Sequence, residues 1–329
     1  MNKEKIYTVS KPKYPMIFTI LITTYNRLDF LKRAINSALE QTIKCEIIVV
    51  DDCSTDDTEE YVKSLGDKLI YHRTISNEGH AGAINLGVKN AQGDWVKPMD
   101  DDDYLAPHCI EEMTKAITLH PQVAILSCQA AQVDTNEVEI SRTRKTGPGT
   151  AFYIPQEDIH YGMLLELVPF GTPIQVAFRR DAFLESGGWD TNLTNCDFDD
   201  IDSWIRIAEF GDAIFLNQCL TYRTIWSGAY NKKIPLQERC DSNILMKEKI
   251  YARVNKKYSN LIPYIGNIRR YMKLHWGIVA LKQKQLLIAL KLLLPVAFYP
   301  QAWKLFLEAI TSRKQPNKNA NLRKYILID

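Results

Sequence analysis

Between residues 18 and 99 the chain alternates short β-branched apolar runs with stretches of helical periodicity, and no other feature narrows its fold as far. Phe18–Thr23 is the first run, followed by a turn at Thr24–Arg27 and a helical stripe through Leu28, Leu31, Ile35 and Leu39. Glu46–Val50 is almost continuously apolar, as a strand buried on both faces of a parallel sheet must be. A helix follows from about Thr58, carrying Tyr61, Val62 and Leu65. Leu69–His72 is a third strand, Asn77–Gly82 a turn, and Ile84, Leu86 and Val88 a third stripe, with Gly93 placed as a C-cap. Asp94–Met99 is the fourth strand. Strands separated by helices of this length pair in parallel, because the helix carries the chain back across the sheet. A doubly wound, mostly parallel α/β sheet with helices on both faces is therefore expected.

The fourth strand delivers Asp100-Asp101-Asp102-Asp103. Adjacent carboxylates repel one another, so an ordered tetrad needs a compensating cation, and a hard divalent ion such as Mn²⁺ or Mg²⁺ suits all-oxygen ligands. Taken alone, the tetrad reads as well as a solvated acidic turn ahead of a helix near residues 107–110. Its placement favours a site. Ligands of open α/β sheets bind beyond the carboxyl ends of the strands, and Asn26, Asp52 and the tetrad all fall at such ends.

The rest of the chain sets bounds. Its 41 Lys and Arg against 39 Asp and Glu leave a formal charge of +2, which gives no footprint for nucleic acid. The basic residues gather from about Lys247 onward. Seven cysteines are scattered with no CxxC pair, a pattern of buried thiols in a reducing compartment and not of disulfides or structural zinc. Met1–Lys13 is polar and lacks the apolar core of a signal peptide, so a cytoplasmic location is expected. No apolar run reaches the roughly 18 residues of a membrane span. The nearest, Leu286–Tyr299, is broken by Lys291 and Pro295 and flanked by Lys282, Lys284 and Lys304. Two readings stay open for it: peripheral membrane contact through residues 276–310, or a helical segment folded back on the core or on a partner subunit. The expected organisation is a tail at 1–15, a main domain at 16–230 and a basic, helical C-terminal region at 231–329. Thr146-Gly147-Pro148-Gly149-Thr150 reads as a flexible hinge inside the main domain.

Several ordered motifs resemble those of the inverting GT-A glycosyltransferases of family two. They are Thr23-Thr24-Tyr25-Asn26-Arg27, the run from Ile47 to Thr58, Asn77-Glu78-Gly79, Ala83-Ile84-Asn85-Leu86-Gly87, and the tetrad with Tyr104-Leu105-Ala106-Pro107, which matches the family's DxD region. Further on, Arg179-Arg180-Asp181, Gly187-Gly188-Trp189-Asp190 and Asp199–Ile207 resemble its acceptor-side motifs. The resemblance implies a GT-A fold with a Rossmann-like nucleotide half, an acceptor half and a helical C-terminal appendage. It implies that Tyr25 lies against the nucleotide base, that Asp52 accepts a hydrogen bond from it, and that Asp100 and Asp101 sit by the ribose and first phosphate. Thr23, Asn26 and Asn85 join these as nucleotide-sugar-binding residues. Asp102 is the implied metal ligand, for Mn²⁺ or Mg²⁺, and Asp199-Asp200 the implied general-base pair, with Asp200 preferred and Asp199 second. The same acids, with Asp197, would also decorate a helix start.

The chain departs from the family pattern in places. Asp199 replaces a longer glutamate, and the stretch Tyr222–Gly228 lacks the histidine that completes the metal site in many relatives. There water, another oxygen, or Arg223 acting on the diphosphate charge would have to serve. The usual arginine near Ala83–Asn85 is missing, and His80 reads as a turn residue. No QxxRW-like motif of processive synthases is present. The expected function is a metal-dependent inverting transfer of one sugar from a nucleotide-diphosphate donor, with UDP as the expected nucleotide. The acceptor would be a glycan, glycolipid or other hydroxyl in cell-envelope or extracellular polysaccharide synthesis, at the inner face of the plasma membrane. The alternatives are a sugar nucleotidyltransferase, disfavoured because no glycine-rich basic loop follows the first strand, and a non-catalytic nucleotide-sugar-binding module.

Overall fold

The computed structural model describes residues 16–193, 198–226, 228, 234–314 and 324–326; the tail 1–15 and Asp197 lie outside them. The first half runs β1 (Phe18–Thr24), α1 (Leu28–Leu39), β2 (Glu46–Asp51), α2 (Thr58–Ser64), β3 (Ile70–Arg73), α3 (Gly79–Asn90), β4 (Trp95–Asp100), β5 (Tyr104–Leu105), α4 (Cys109–Leu119), β6 (Val123–Val133) and β7 (Glu139–Arg142). There follow β8 (Ala151–Ile154), α5 (Gln156–Leu164), β9 (Val176–Arg179), α6 (Arg180–Glu185), α7 (Asp199–Ile207), β10 (Asp212–Thr224), α8 (Leu236–Tyr251), α9 (Ile265–Lys282), α10 (Leu286–Leu293), α11 (Pro300–Lys314) and β11 (Lys324–Ile326). One sheet takes the order β11-β8-β10-β6-β9-β4-β1-β2-β3, with β5 on β10 and β7 on β6.

Strand alternation divides the core in two. Phe18, Ile20 and Ile22 of β1 pack with Leu31, Ile35, Val62 and Ile110 of α1, α2 and α4 on one side. Leu21, Ile48 and Val50 pack with Ile84, Val88, Phe183 and Trp204 of α3, α6 and α7 on the other. The expected parallel block is β4-β1-β2-β3. Beyond β4 the sheet is mixed: β9 runs antiparallel to β4 and β6, while β10 runs parallel to β6 and antiparallel to β8. The result is a GT-A fold with a helical C-terminal region, its sheet more mixed than β/α alternation alone conveys.

Two local expectations are corrected. Gly93 caps no helix: α3 ends at Asn90, with Ala91 already extended. Glycine is needed at 93 because β1 passes so close that a Cβ would meet Thr19 Oγ1 at 2.6 Å and Thr19 N at 2.7 Å. Nor is 146–150 a free hinge. The Asn217 amide donates to the carbonyls of Gly147, Pro148 and Gly149 and accepts from Thr146 N, fixing the approach to β8.

The C-terminal helices divide as well. Met246 and Ile250 of α8 and Ile268 and Met272 of α9 join the main core. Asp202 of α7, itself buried, holds Arg206 at 2.7 Å and Lys249 of α8 at 2.5 Å. The second half of α9 instead carries α10 and α11 as a satellite around Leu274, Ala280, Ala289 and Val296. Among the described residues no helix is long and apolar enough to cross a membrane.

Candidate active site

The cleft lies over the carboxyl ends of β1, β2 and β4, where parallel pairing sets Thr24 beside Asp51 and Thr23 beside Asp100. Asn26 leaves β1 with φ 53° and Cys53 leaves β2 with φ 66°, the left-handed region that asparagine tolerates better than most residues. The two turns brace each other: Asn26 Oδ1 accepts from Thr55 N at 2.7 Å, and Asn26 N donates to Ser54 Oγ at 2.9 Å. Tyr25 projects an exposed ring at this rim, whereas Thr23 is buried in the strand.

The acids at the end of β2 are well supplied with donors. Asp51 accepts from Ser54 N, Tyr71 Oη and Arg73 Nη1 at 2.8, 2.7 and 3.1 Å. Asp52 accepts from Thr74 Oγ1, Glu78 N and Gly79 N at 3.0, 2.8 and 2.8 Å, so it caps the start of α3. A carboxylate offers about four acceptor positions, and these three donors leave Asp52 one for a ligand.

The tetrad is differently served. Asp101 turns inward, accepting from Thr24 Oγ1 at 2.8 Å and Arg27 Nη1 at 3.0 Å, and thereby locks the β1 turn onto the β4 turn. The other three bring carboxylate oxygens within 4.8 Å of one another. Their partners are few: His80 Nε2 lies 2.9 Å from Asp100, Trp226 Nε1 donates to Asp102 at 2.8 Å with Arg27 Nη1 3.6 Å away, and Thr224 N donates to Asp103 at 2.9 Å. Arg33 holds the loop from behind, its Nη2 reaching both the Asp102 carbonyl and Thr224 Oγ1 at 2.6 Å.

Electrostatics follow that shortage. Burial, reinforced by the charges of Asp102 and Asp100, pushes Asp103 well above the ordinary carboxylate range. Burial and then Asp100 raise Asp102 against the pull of Trp226 and Arg27. Burial lifts Asp101 to about 7 despite Arg27. Asp100 goes the other way: burial works against ionisation, but His80 holds it below its usual value. An under-neutralised set of oxygen donors is the environment a hard divalent cation fits, and Asp100 and Asp103 belong to it as much as Asp102.

The facing wall comes from α7. Asp200 is nearly buried and Asp199 partly so, in the first helical turn, where Asp199 Oδ1 accepts from Asp200 N and Asp200 Oδ1 from Ile201 N. Burial, then the like charge of Asp199, drives Asp200 well above its ordinary value, and burial also raises Asp199. His80 pairs with Asp100 and feels the charges of both walls. Burial disfavours its charge, yet Asp100, with Asp199 and Asp200 behind it, raises the imidazole to about 9. Its ring stands edge-on to Trp189 at 4.9 Å. Asn85 is a brace: it donates to Trp189 O at 2.9 Å and accepts from Trp189 N at 2.8 Å. The turn it grips needs Gly188, at φ 70°, since a Cβ there would meet Asn85 Oδ1 at 2.6 Å.

Three residues of the cleft were not singled out as site residues in the sequence: His80, Arg27 and Trp226. His80 is a cleft residue paired with Asp100, not a plain turn residue. Arg27 had a signal, as the one cation in a turn that faces four acids. Trp226 had none. It fills the region where a histidine was sought, with the Arg27 guanidinium 5.3 Å from its ring centre and Phe30 at 5.2 Å.

A doubly wound sheet with an acidic cluster beyond one strand and a carboxylate pair across the cleft defines a transferase of the GT-A class. The glycosyl transferase family 2 model matches residues 19–187, and the chain belongs to that family; it is a glycosyltransferase. An uncharacterised glycosyltransferase of Rickettsia typhi is 28% identical over 246 residues, 68% of this chain and 74% of the relative. The succinoglycan biosynthesis protein ExoO of Rhizobium meliloti is 34% identical over 119 residues, 35% of this chain and 34% of the relative. In fold, the chain resembles Staphylococcus aureus TarS 1–349 in complex with UDP-GlcNAc (TM-score 0.60, 16% identity, 91% and 92% of the two chains). It also resembles the mannosyltransferase PcManGT of Pyrobaculum calidifontis in complex with GDP-Man and Mn²⁺ (TM-score 0.56, 19% identity, 97% and 87%).

Proposed function

We propose that this glycosyltransferase moves one sugar from a nucleotide-diphosphate donor, a UDP-sugar in the leading case, to an acceptor hydroxyl with inversion at the anomeric carbon. The observation that carries the reading is the gathering of Asp100, Asp102 and Asp103 oxygens within 4.8 Å of one another, with His80 on Asp100, in a cleft that also holds the buried Asp200 beside Asp199. Tyr25 and the remaining acceptor position of Asp52 suit an amphipathic heterocycle, and TarS in complex with UDP-GlcNAc supports uridine.

Asp100, Asp102 and Asp103 are the residues that would hold Mn²⁺ or Mg²⁺. When bound, the ion supplies compensation for the negative charge that builds on the departing diphosphate. Asp200 takes the proton from the acceptor hydroxyl as that oxygen attacks the anomeric carbon from the opposite side, and Asp199 is second in that role. Single displacement inverts the centre. Asp101, Asn26 and Asn85 act by holding the turns that carry the contacting groups. The domain limits follow the same division, with the donor and acceptor halves in 16–230 and the helical region in 231–329. The acceptor is a glycan or glycolipid of cell-envelope or extracellular polysaccharide synthesis, in keeping with the named role of ExoO, met at the inner face of the plasma membrane through residues 276–310.

Asp200→Asn tests the assignment. Sugar transfer should fall about 10³-fold while calorimetric UDP affinity stays within about twofold of wild type. Transfer at the wild-type rate would remove Asp200 from the base role.

A further inference from the structure

The satellite of α10 and α11 leaves a large apolar surface uncovered. Its packing on α9 uses Ala289, Leu292, Val296 and Ala302, all buried. Gly277 of α9 lets α10 approach so closely that a Cβ there would meet Leu293 at 2.6 Å. Other large apolar side chains face out. Leu286, Leu287, Leu290 and Leu294 line one side of α10, with Leu287 84% exposed, and Phe298 in the following turn is 91% exposed. Residues at i, i+4 and i+8 stack on one helical face, so Leu286, Leu290 and Leu294 form a stripe that Phe298 extends. Lys282, Lys284, Lys291 and Lys304 are all exposed around this stripe.

We infer that this face is a lipid-docking surface that seats the enzyme on an anionic membrane, with Leu287 and Phe298 entering the acyl boundary. Charge complementarity selects the occupant: residues 265–314 carry nine Lys and Arg (269, 270, 273, 282, 284, 291, 304, 313 and 314) against a single acid, Glu308. Protein–protein interface cores are depleted in lysine, whereas a lysine-fringed leucine and phenylalanine face is the pattern of helices that lie in a bilayer interface. The inference rests on and deepens the membrane-side reading of the acceptor, but it uses none of the residues assigned to the transfer chemistry, so the two can fail separately.

The test is flotation of the full chain with vesicles of pure phosphatidylcholine or of phosphatidylcholine with phosphatidylglycerol. The full chain should float with the anionic vesicles and much less with the neutral ones, and raised salt should weaken the association. Leu287→Ser with Phe298→Ser should weaken binding about 100-fold. Lys282→Glu with Lys284→Glu should weaken it at least about tenfold. Both double variants should keep the wild-type unfolding midpoint and UDP affinity, because the altered groups are exposed and none is a cleft residue. Failure to float at either composition overturns the inference. So does a concentration-dependent dimer in ultracentrifugation that Leu287→Ser with Phe298→Ser dissolves while vesicles stay unbound, since the face would then belong to a second copy.

Discussion

Two acidic clusters stand at neighbouring strand ends, one on each side of β1, and they are built on opposite plans. At the end of β2, Asp51 and Asp52 receive six hydrogen bonds from backbone, hydroxyl and guanidinium donors. At the end of β4, Asp102 and Asp103 share an indole, a peptide N–H and an arginine 3.6 Å from Asp102, and their carboxyls are held above the ordinary range. The first cluster is structural: removing a partner leaves buried donors without an acceptor. The second is deficient in positive charge, and a deficiency that folding does not relieve is one that a bound cation can.

The contrast predicts opposite signs for similar substitutions. Asp51→Ala should cost about 3 kcal/mol of stability in urea unfolding, since it takes the acceptor from Tyr71 Oη and Ser54 N and an ion-pair partner from Arg73. A loss under about 0.5 kcal/mol would erase the distinction. Asp103→Asn keeps an acceptor for Thr224 N while removing a repelled charge, so it should raise metal-free stability by about 1 kcal/mol. Destabilisation there would mean that the cluster is already compensated. Trp226→Phe keeps the stacking on Arg27 and Phe30 but withdraws the donor from Asp102. Mn²⁺ affinity should then tighten about fivefold, the worth of roughly 1 kcal/mol, as titration calorimetry would register.

The smallest effect is a displacement along the pH axis. A base must be deprotonated, and burial with the charge of Asp199 raises Asp200, so the acid limb of kcat/KM should lie above the ordinary aspartate range. Asp199→Asn removes the repulsion and should move that limb to lower pH. A limb that stays in place would detach it from Asp200.

Sequence alone carried much of this and failed for identifiable reasons. The parallel block, the placement of the acids at strand ends and the Asp199-Asp200 helix start are local patterns of period and turn, and they were legible. The antiparallel strands β5, β7, β8 and β9 depend on long-range pairing, which no local period records. Gly93 looked like a cap because its real constraint, the passage of β1, lies 74 residues away in sequence. Asn85 and Asn26 carry family motif positions, but their amides grip the backbone of other turns, at Trp189 and Thr55. Trp226 was invisible because its contact with Asp102 spans 124 residues.

The most direct test of the under-neutralised cluster is the thermal unfolding midpoint followed against Mn²⁺ concentration, with UDP present, in wild type and Asp103→Asn. The account predicts a wild-type midpoint that climbs and saturates with Mn²⁺, as a ligand of the native state requires. It predicts that the variant starts higher and responds weakly or not at all. A wild type indifferent to Mn²⁺, or a variant that climbs as steeply from a lower start, would contradict it.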